Sequence, residues 1–166
     1  MNGKIRIRVA NREDVPSIFR LVEKLAEYEK LTHQVTGTEA DFLRFGFENQ
    51  PYFHALMAEW VQESQVQTVG FALYFFTFST FLARPTLYLE DLFVLPEFRG
   101  RGVGTALLKE LAGIALKHEC GRMEWAVLDW NEPAIRFYRS IGARPLREWT
   151  TFRLDGEALQ QFARGK

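Results

Sequence analysis

Cysteine and histidine are scarce in this sequence. Cys120 is the one cysteine among 166 residues, and the three histidines are scattered at His33, His54 and His118. One cysteine forms no disulfide within the chain. Zinc sites need several cysteine and histidine ligands at close spacing, so we expect no metal site.

An excess of charge of either sign is also missing, since 21 lysines and arginines balance 21 aspartates and glutamates. Nucleic-acid binding needs surplus cations that neutralise phosphates, so we expect no nucleic-acid partner. No apolar run approaches the roughly 18 residues of a membrane span, and the apolar stretch of a signal peptide does not follow the first residues. We therefore expect no membrane partner and a cytoplasmic location.

The remaining composition is that of a globular protein. Hydrophobic residues make up 47% of the chain and charged residues 25%, which is close to the globular average. At this length we expect a single domain over residues 1–166. The aromatic fraction of 14%, which includes fifteen phenylalanines, excludes disorder and indicates a core or cleft built from flat side chains.

Hydrophobic periodicity predicts a mixed α/β fold. Strands are predicted at residues 5–9, 52–59, 69–78, 86–95, 123–128, 143–146 and 149–154, and helices at 15–26, 38–47, 107–118, 131–138 and the C-terminus. Several strands in a run, followed by strand–helix–strand, predict a mixed, mostly antiparallel sheet with helices on both faces.

A basic glycine loop separates the strand at 86–95 from the helix that follows. Its residues are Arg99, Gly100, Arg101, Gly102, Val103 and Gly104. Glycine lets the backbone approach a ligand closely, and the N–H groups at the start of a helix bind anions. The loop is not a mononucleotide P-loop, because Thr105 follows where that motif needs lysine. Phosphate binding and a simple solvated turn both remain open from these residues alone.

The same segment matches Arg/Gln-x-x-Gly-x-Gly, and through it the chain resembles the GNAT superfamily of acetyl-CoA-dependent N-acetyltransferases. The segments LYLEDLFV before the loop and NEPAIRFY after it resemble the diamine (spermidine/spermine) acetyltransferase family. The segments YEKL and AVLDWN are more similar to its thialysine Nε-acetyltransferase branch. The resemblance covers residues 4–155. It implies the GNAT fold with a sheet splayed at the cofactor cleft, a homodimer, and direct acetyl transfer from acetyl-CoA to a small-molecule amine.

Two adjacent acids, Glu90 and Asp91, interrupt an apolar strand. Neighbouring strand residues face opposite sides of a sheet, so the two carboxylates share one face only if a bulge intervenes. One interpretation is a solvated strand end or an arginine pair. The other, which the resemblance supports, is that Glu90 takes the proton of the amine, directly or through a water, while Asp91 is a structural or water-positioning partner.

The resemblance implies the remaining site residues. Tyr138 is the general acid that protonates the coenzyme A sulfur, although a tyrosine on a short amphipathic helix can also be packing alone. The residues that hold coenzyme A are Leu92, Phe93, Val94, Arg99, Gly100, Arg101, Gly102, Val103, Gly104, Thr105, Asn131, Glu132, Pro133, Ala134 and Tyr138. The amine pocket is formed by Tyr28, Glu29, Glu90, Glu124, Trp125, Ala126 and Glu148, of which the acids could also be surface charges and the tryptophan core.

The sequence departs from the polyamine enzymes near both ends of this pocket. The segment KLTH after Glu29 lacks further acids, and Arg144 and Arg147 add positive charge near Glu148. Fewer carboxylates attract a polycation less strongly, and an arginine can meet a substrate carboxylate. We therefore expect a short amine with its own carboxylate, such as thialysine, in preference to spermine, with a diamine or polyamine left open. A protein lysine or N-terminal acetyltransferase and a non-catalytic coenzyme A-binding module are the alternative functions.

Overall fold

The computed structural model describes residues 3–165, which form two compact units, one through Ala126 and one from Val127 onward. The first unit holds β1 (Lys4–Val9), α1 (Val15–Glu29), α2 (Glu39–Phe47), β2 (His54–Gln62), β3 (Gln65–Ser79), β4 (Arg84–Val94), α3 (Val103–Lys117) and β5 (Arg122–Trp125). The second unit holds α4 (Glu132–Ser140) and α5 (Gly156–Ala163).

The five strands form one sheet in the order β1-β2-β3-β4-β5. The first four strands pair antiparallel, and β4 pairs with β5 in parallel. A parallel pair needs a long crossover connection, and α3 provides it. The predicted mixed, mostly antiparallel sheet is therefore confirmed.

Helices cover both faces of this sheet. Ile18, Leu21 and Leu25 of α1 are buried in one cluster with alternate residues of three strands, namely Ala55, Met57, Phe71, Leu73 and Phe93. Leu92, beside Phe93, points to the other face, where a Cβ on Gly104 of α3 would lie 3.8 Å from its Cδ2 atom. Alternation along the strands thus places α1 and α3 on opposite faces.

Polar residues fix the ends of the first two helices. Thr38 and Asp41 form a capping box before α2, in which each side chain accepts from the other residue's backbone N–H. Helix α1 ends at Lys30, which is left-handed with φ of 60°. This end places Tyr28 and Glu29 in the last turn of α1.

The β2–β3 hairpin is longer than the sequence pattern predicts. Only residues 63–64 form the turn, and Glu63 adopts a positive φ of 53°, as a tight two-residue hairpin requires. The polar residues around it therefore lie in the strands, at their exposed ends, and not in a broad loop.

The predicted strands at 143–146 and 149–154 are wrong, because residues 127–165 contain no strand. A strand needs a neighbour that completes its hydrogen bonds, and Pro145 has no N–H to donate. The strand predicted at 123–128 is confined to Arg122–Trp125. Among the described residues, no helix is long and apolar enough to cross a membrane.

Candidate active site

Strand β4 has an open edge at its C-terminal end. It pairs with β5 only over four residue pairs, from Thr86 with Arg122 to Leu89 with Trp125. Residues 91–94 pair with β3 on one side, and on the other side no strand of the described chain joins residues 90–94. The predicted splay of two parallel strands lies here, along Leu92, Phe93 and Val94. No strand pairs with their backbone groups on this side, where the Val94 carbonyl oxygen accepts a hydrogen bond from Arg99.

A β-bulge at Glu90 begins this open segment. Asp91 lies opposite Leu73, and Leu89 lies opposite Tyr74, so Glu90 is the extra residue without a partner across the ladder. A bulge changes the side to which the following residues point. With strict alternation Asp91 would share the face of Leu89. The bulge instead puts Asp91 on the face of Leu73, which α1 covers.

The carboxylates around the bulge act on one another. Burial, followed by the charges of Glu90 and Glu29, raises the pKa of Asp91 to about 6. Burial also raises the pKa of Glu29. The pKa of Tyr88 is raised by burial and by the charges of Glu90 and Glu124. Glu90 is therefore close to groups on both sides of the bulge, and the bulge brings the two adjacent acids into one electrostatic cluster.

No cation in the described part of the chain compensates this cluster. Glu29, Glu90 and Asp91 form no ion pair with any residue between 3 and 165, and no positive charge contributes to the pKa of Asp91. Glu90 is exposed, whereas Asp91 and Glu29 are half-buried. A bound ammonium group would supply the missing positive charge.

The glycine loop turns into α3 with two residues of positive φ. Gly100 has φ of 72° and Gly102, which precedes the helix, has φ of 85°. These are values that favour glycine over residues with a Cβ. No side chain caps the start of α3, so the N–H groups of Val103, Gly104 and Thr105 are available to an anion.

The two arginines of the loop are held against aromatic rings. The Arg99 guanidinium carbon lies 4.5 Å from the ring centre of Tyr28 and 5.4 Å from that of Phe93. Its Nε donates to the Val94 carbonyl oxygen at 3.0 Å. The Arg101 guanidinium carbon lies 5.4 Å from the Trp60 ring centre and 5.3 Å from that of Phe98.

Two residues predicted for the amine pocket, Glu124 and Trp125, lie on β5, the parallel neighbour of β4. Glu124 forms an ion pair with Arg122 on the same strand, in which Glu124 Oε1 lies 2.8 Å from Arg122 Nε. Trp125, the last residue of β5, is half-buried, and Ala126 after it is exposed. Glu124 is thus partly neutralised, unlike Glu29, Glu90 and Asp91.

The predicted site residues of the second unit cluster on α4. Asn131 is buried and accepts a hydrogen bond from the Ala134 N–H at 3.4 Å, so it caps this helix. Glu132 and Pro133 form the first turn. Tyr138 is half-buried, with its ring centre 5.8 Å from that of Phe137.

The segment after α4 carries the remaining predicted charges. Arg144, Arg147 and Glu148 are all exposed and lie outside helices and strands. Their side chains are therefore accessible to solutes.

Two features of the site are missing from the sequence-based prediction. The contact of Arg99 with Tyr28 joins the predicted coenzyme loop to the predicted amine pocket, whereas the sequence indicated only a positive charge. The second feature is Asp91, whose pKa is raised to about 6. The signal for the second feature is present in the sequence, since two adjacent acids in an apolar strand are best accommodated by a bulge.

Comparison with known proteins gives consistent matches over most of the chain. The sequence model of the Acetyltransferase (GNAT) family matches residues 19–143. Thialysine N-epsilon-acetyltransferase of Mus musculus is 43% identical over 165 residues, which cover 95% of this chain and 96% of that protein. Spermidine/spermine N(1)-acetyltransferase-like protein 1 of Homo sapiens is 39% identical over 165 residues, which cover 95% of this chain and 24% of that protein.

A solved structure gives the same result for the fold. An integron cassette protein from the mobile metagenome of V. cholerae superposes with a TM-score of 0.76 at 29% identity, covering 96% of this chain and 97% of that chain. The matches in sequence and in structure therefore extend over both units.

Proposed function

This chain belongs to the GNAT family of acetyltransferases and is an N-acetyltransferase of small-molecule amines, and we propose that it transfers acetyl from acetyl-CoA to a short primary amine with its own carboxylate, such as thialysine. The observation that carries the assignment of an amine acceptor is the uncompensated cluster of Glu29, Glu90 and Asp91 beside the open edge of β4. The cluster suits one ammonium group, and Arg144 and Arg147 are candidates for the carboxylate.

Acetyl-CoA fits the residues of the coenzyme site. The uncapped start of α3, after two glycines of positive φ, suits the pyrophosphate. The open edge formed by Leu92, Phe93 and Val94 offers backbone groups to the pantetheine amides and a donor to the acetyl oxygen as it gains negative charge. The resemblance also assigns residues 131–134 at the start of α4 to the binding of the pantetheine arm.

Glu90 and Asp91 share the task of preparing the amine. An alkylammonium group has a pKa of roughly 10 and must lose a proton before its nitrogen attacks. Glu90, the exposed member of the pair, takes this proton, directly or through a water. Asp91 and Glu29 hold the cation in place before the transfer. Tyr138 gives its hydroxyl proton to the departing sulfur.

A free-thiol assay with acetyl-CoA tests the proposal. The acceptors are thialysine, lysine, spermidine, spermine, putrescine, a lysine-containing peptide and a blank without amine. We expect kcat/KM for thialysine to exceed that for spermine by about tenfold, because each missing ion pair costs roughly 0.5–1 kcal/mol in a partly solvated site. A preference for spermine by a decade would identify a polyamine acetyltransferase, and turnover of the peptide alone a protein acetyltransferase.

A diamine or polyamine is the second candidate acceptor. The same three carboxylates favour it, since a long polycation is attracted by neighbouring negative charges. Salt distinguishes the two acceptors. The kcat/KM for a polycation falls more steeply between low and moderate ionic strength than that for thialysine, whose charges partly cancel. A non-catalytic coenzyme A-binding module predicts no thiol release with any amine.

Replacement of Tyr138 by phenylalanine tests the assigned acid. The change removes a hydroxyl and little volume, so we expect kcat to fall by roughly 10²–10⁴-fold with little change in the binding of either substrate. Tyr52→Phe is the matched control, because that ring is 75% exposed and lies outside the proposed site. A near-normal kcat for Tyr138→Phe at every pH would leave this tyrosine with a packing role.

The assembly and location of the enzyme are further parts of the proposal. We assign a single catalytic domain over residues 1–166, a homodimer, a cytoplasmic location, and no metal, nucleic-acid or membrane partner. Apolar exposure supports the dimer, since Trp149 is 74%, Phe152 92% and Phe162 76% exposed in one chain and such side chains are enriched at interfaces. Sedimentation equilibrium tests it, and a monomer at micromolar concentration would overturn it.

A further inference from the structure

Arg99 connects two parts of the proposed site that are far apart in sequence. It follows the turn at Pro96–Phe98 and begins the glycine loop. Its guanidinium carbon lies 4.5 Å from the centre of the Tyr28 ring, in the last turn of α1. The Nε donor on the same side chain is bonded to the carbonyl oxygen of Val94 at 3.0 Å. One side chain therefore touches the open edge of β4 and the helix that carries Glu29.

The geometry leaves part of the Arg99 guanidinium for a ligand. The Nε edge faces Val94, and the guanidinium lies over the rings of Tyr28 and Phe93. Within residues 3–165, Arg99 forms no ion pair, and its side-chain hydrogen bond is made by Nε and not by the Nη atoms. Phosphate oxygens are the acceptors that a planar guanidinium binds best. A pyrophosphate at the loop would thus hold the guanidinium in place over Tyr28.

The end of α1 is sensitive to such a contact. Its last turn contains no basic residue, and a cation near a helix C-terminus stabilises that end. The terminal hydrogen bonds are those of the Lys30 N–H to the Glu27 carbonyl at 3.2 Å and of the Leu31 N–H to the Ala26 carbonyl at 2.8 Å. Fixing Tyr28 therefore fixes the turn that positions Glu29.

Arg101 provides an internal comparison. It lies two residues further along the same loop and is also held over aromatic rings. Those rings belong to Trp60 and Phe98, and neither lies on α1. The two arginines carry the same charge and lie on the same loop. They differ in the aromatic rings that their guanidinium groups contact.

We propose that Arg99 is a positioning residue through which coenzyme A, bound at the glycine loop, orders Tyr28 and Glu29 and so tightens the binding of the amine. The inference rests on the proposed function, which assigns coenzyme A to the loop and the amine to the carboxylate cluster. Because coupling between two binding sites is reciprocal, the amine tightens coenzyme A by the same factor.

Calorimetry with coenzyme A and thialysine measures this coupling without turnover, since coenzyme A carries no acetyl group. We expect coenzyme A to tighten thialysine binding at least about fivefold in the unchanged protein, which is the lower end of common coupling factors. Tyr28→Leu removes the ring, and Arg99→Lys keeps the charge but loses the planar guanidinium. Both variants should reduce the factor to less than about twofold.

Arg101→Gln is the matched control. It removes a loop cation, and we expect it to weaken coenzyme A while leaving the coupling factor as in the unchanged protein. A general effect of loop charge would reduce the coupling in Arg101→Gln and spare Arg99→Lys, whereas a general loss of loop stability would reduce it in both variants. Undiminished coupling in Tyr28→Leu or Arg99→Lys, or an equal loss in Arg101→Gln, would overturn the inference.

Amide hydrogen exchange separates this inference from the choice of amine. Coenzyme A alone should slow exchange at Lys30 and Leu31 in the unchanged protein and not in Arg99→Lys. If it does so while no amine of the panel is acetylated, the inference stands and the assigned acceptor is wrong. If thialysine is acetylated and these amides do not respond, the inference is wrong and the proposed function stands. If coenzyme A does not bind, both are wrong.

Discussion

The two halves of strand β4 differ in pairing, burial and charge. Over residues 86–89 the strand has a neighbour on each side, and Thr86, Leu87 and Leu89 are at most 2% exposed. Over residues 90–94 one edge is open, and the segment begins with two acids. We therefore assign sheet stability to the first half and propose ligand contacts for the second half.

The bulge at Glu90 is the physical boundary between these halves. It interrupts the ladder by one residue and turns Asp91 to the face of α1, while Leu89 stays on the other face. In a strand without the bulge, Asp91 and Leu89 would point to the same face. Either Asp91 would be buried beside Leu89, or Leu89 would be exposed with it. The difference shows that one inserted residue changes the alternation of a core strand and so places an acid on a different face.

The largest expected effect is on catalysis, in the second half. Glu90→Gln keeps the shape of the side chain and removes its basicity, so we expect kcat to fall by roughly 10²–10⁴-fold, the usual contribution of general base catalysis. Initial rates with acetyl-CoA and thialysine between pH 6 and 10 measure it. Glu23→Gln on the exposed side of α1 is the control. A loss of less than about threefold would remove Glu90 from the proton transfer.

The next effect is on stability, in the first half. Leu87 is fully buried, and Leu87→Ala should lower the free energy of unfolding by about 2–5 kcal/mol. We expect kcat to remain within about twofold of the unchanged enzyme at a temperature where the variant is folded. Urea denaturation and initial rates measure the two quantities. A large loss of kcat at nearly unchanged stability would contradict the division of β4 into two halves.

A smaller effect concerns pH and Asp91. Its pKa is raised from 3.8 in the unfolded reference to about 6, so the folded state binds the proton more tightly. Stability contributed by this group is present at low pH and is lost as pH rises from about 4 to 6. Asparagine does not titrate, so Asp91→Asn does not lose this stability. We expect its free energy of unfolding at pH 8 to exceed that of the unchanged protein by up to about 3 kcal/mol. Its amine KM should rise as well.

Thermal unfolding from pH 4 to 8 checks this expectation. The difference between Asp91→Asn and the unchanged protein should be small near pH 4, grow to about pH 6 and then level off. Asp41→Asn is an instructive contrast, because its capping-box hydrogen bonds with Thr38 lower the pKa of that carboxyl, so that variant should lose stability at neutral pH. A constant difference for Asp91→Asn across the range would show that its carboxyl is not perturbed.

The sequence predicted the parts of this site that depend on local pattern. Alternation identified the strands of the first unit, and the glycine spacing identified the turn that begins α3. The adjacent acids Glu90 and Asp91 implied that sharing one face needs a bulge, but only the pairing with Leu73 and Tyr74 locates it at Glu90.

The remaining features depend on partners that alternation does not specify. The stacking of Arg99 on Tyr28 joins distant segments, and no local pattern encodes it. The strands predicted at 143–146 and 149–154 failed for the related reason that a pattern of apolar residues does not supply a neighbouring strand. Roles implied by the resemblance, such as that of Tyr138, remain predictions.

The smallest expected effect returns to the first half of β4. The Thr86 side chain is buried, with 1% exposure, and its hydroxyl oxygen has no hydrogen-bond partner among residues 3–165. Thr86→Val keeps the shape and replaces this hydroxyl by a methyl group. Since an unsatisfied buried polar group costs about 1–3 kcal/mol, we expect the variant to be more stable by about 1 kcal/mol after small packing losses, with kcat and both KM values unchanged. Urea denaturation beside Thr86→Ser, which keeps the hydroxyl and loses the methyl group, measures it. If Thr86→Val were less stable than the unchanged protein, the hydroxyl would have a partner, and the first half of β4 would hold a polar contact as well as a core.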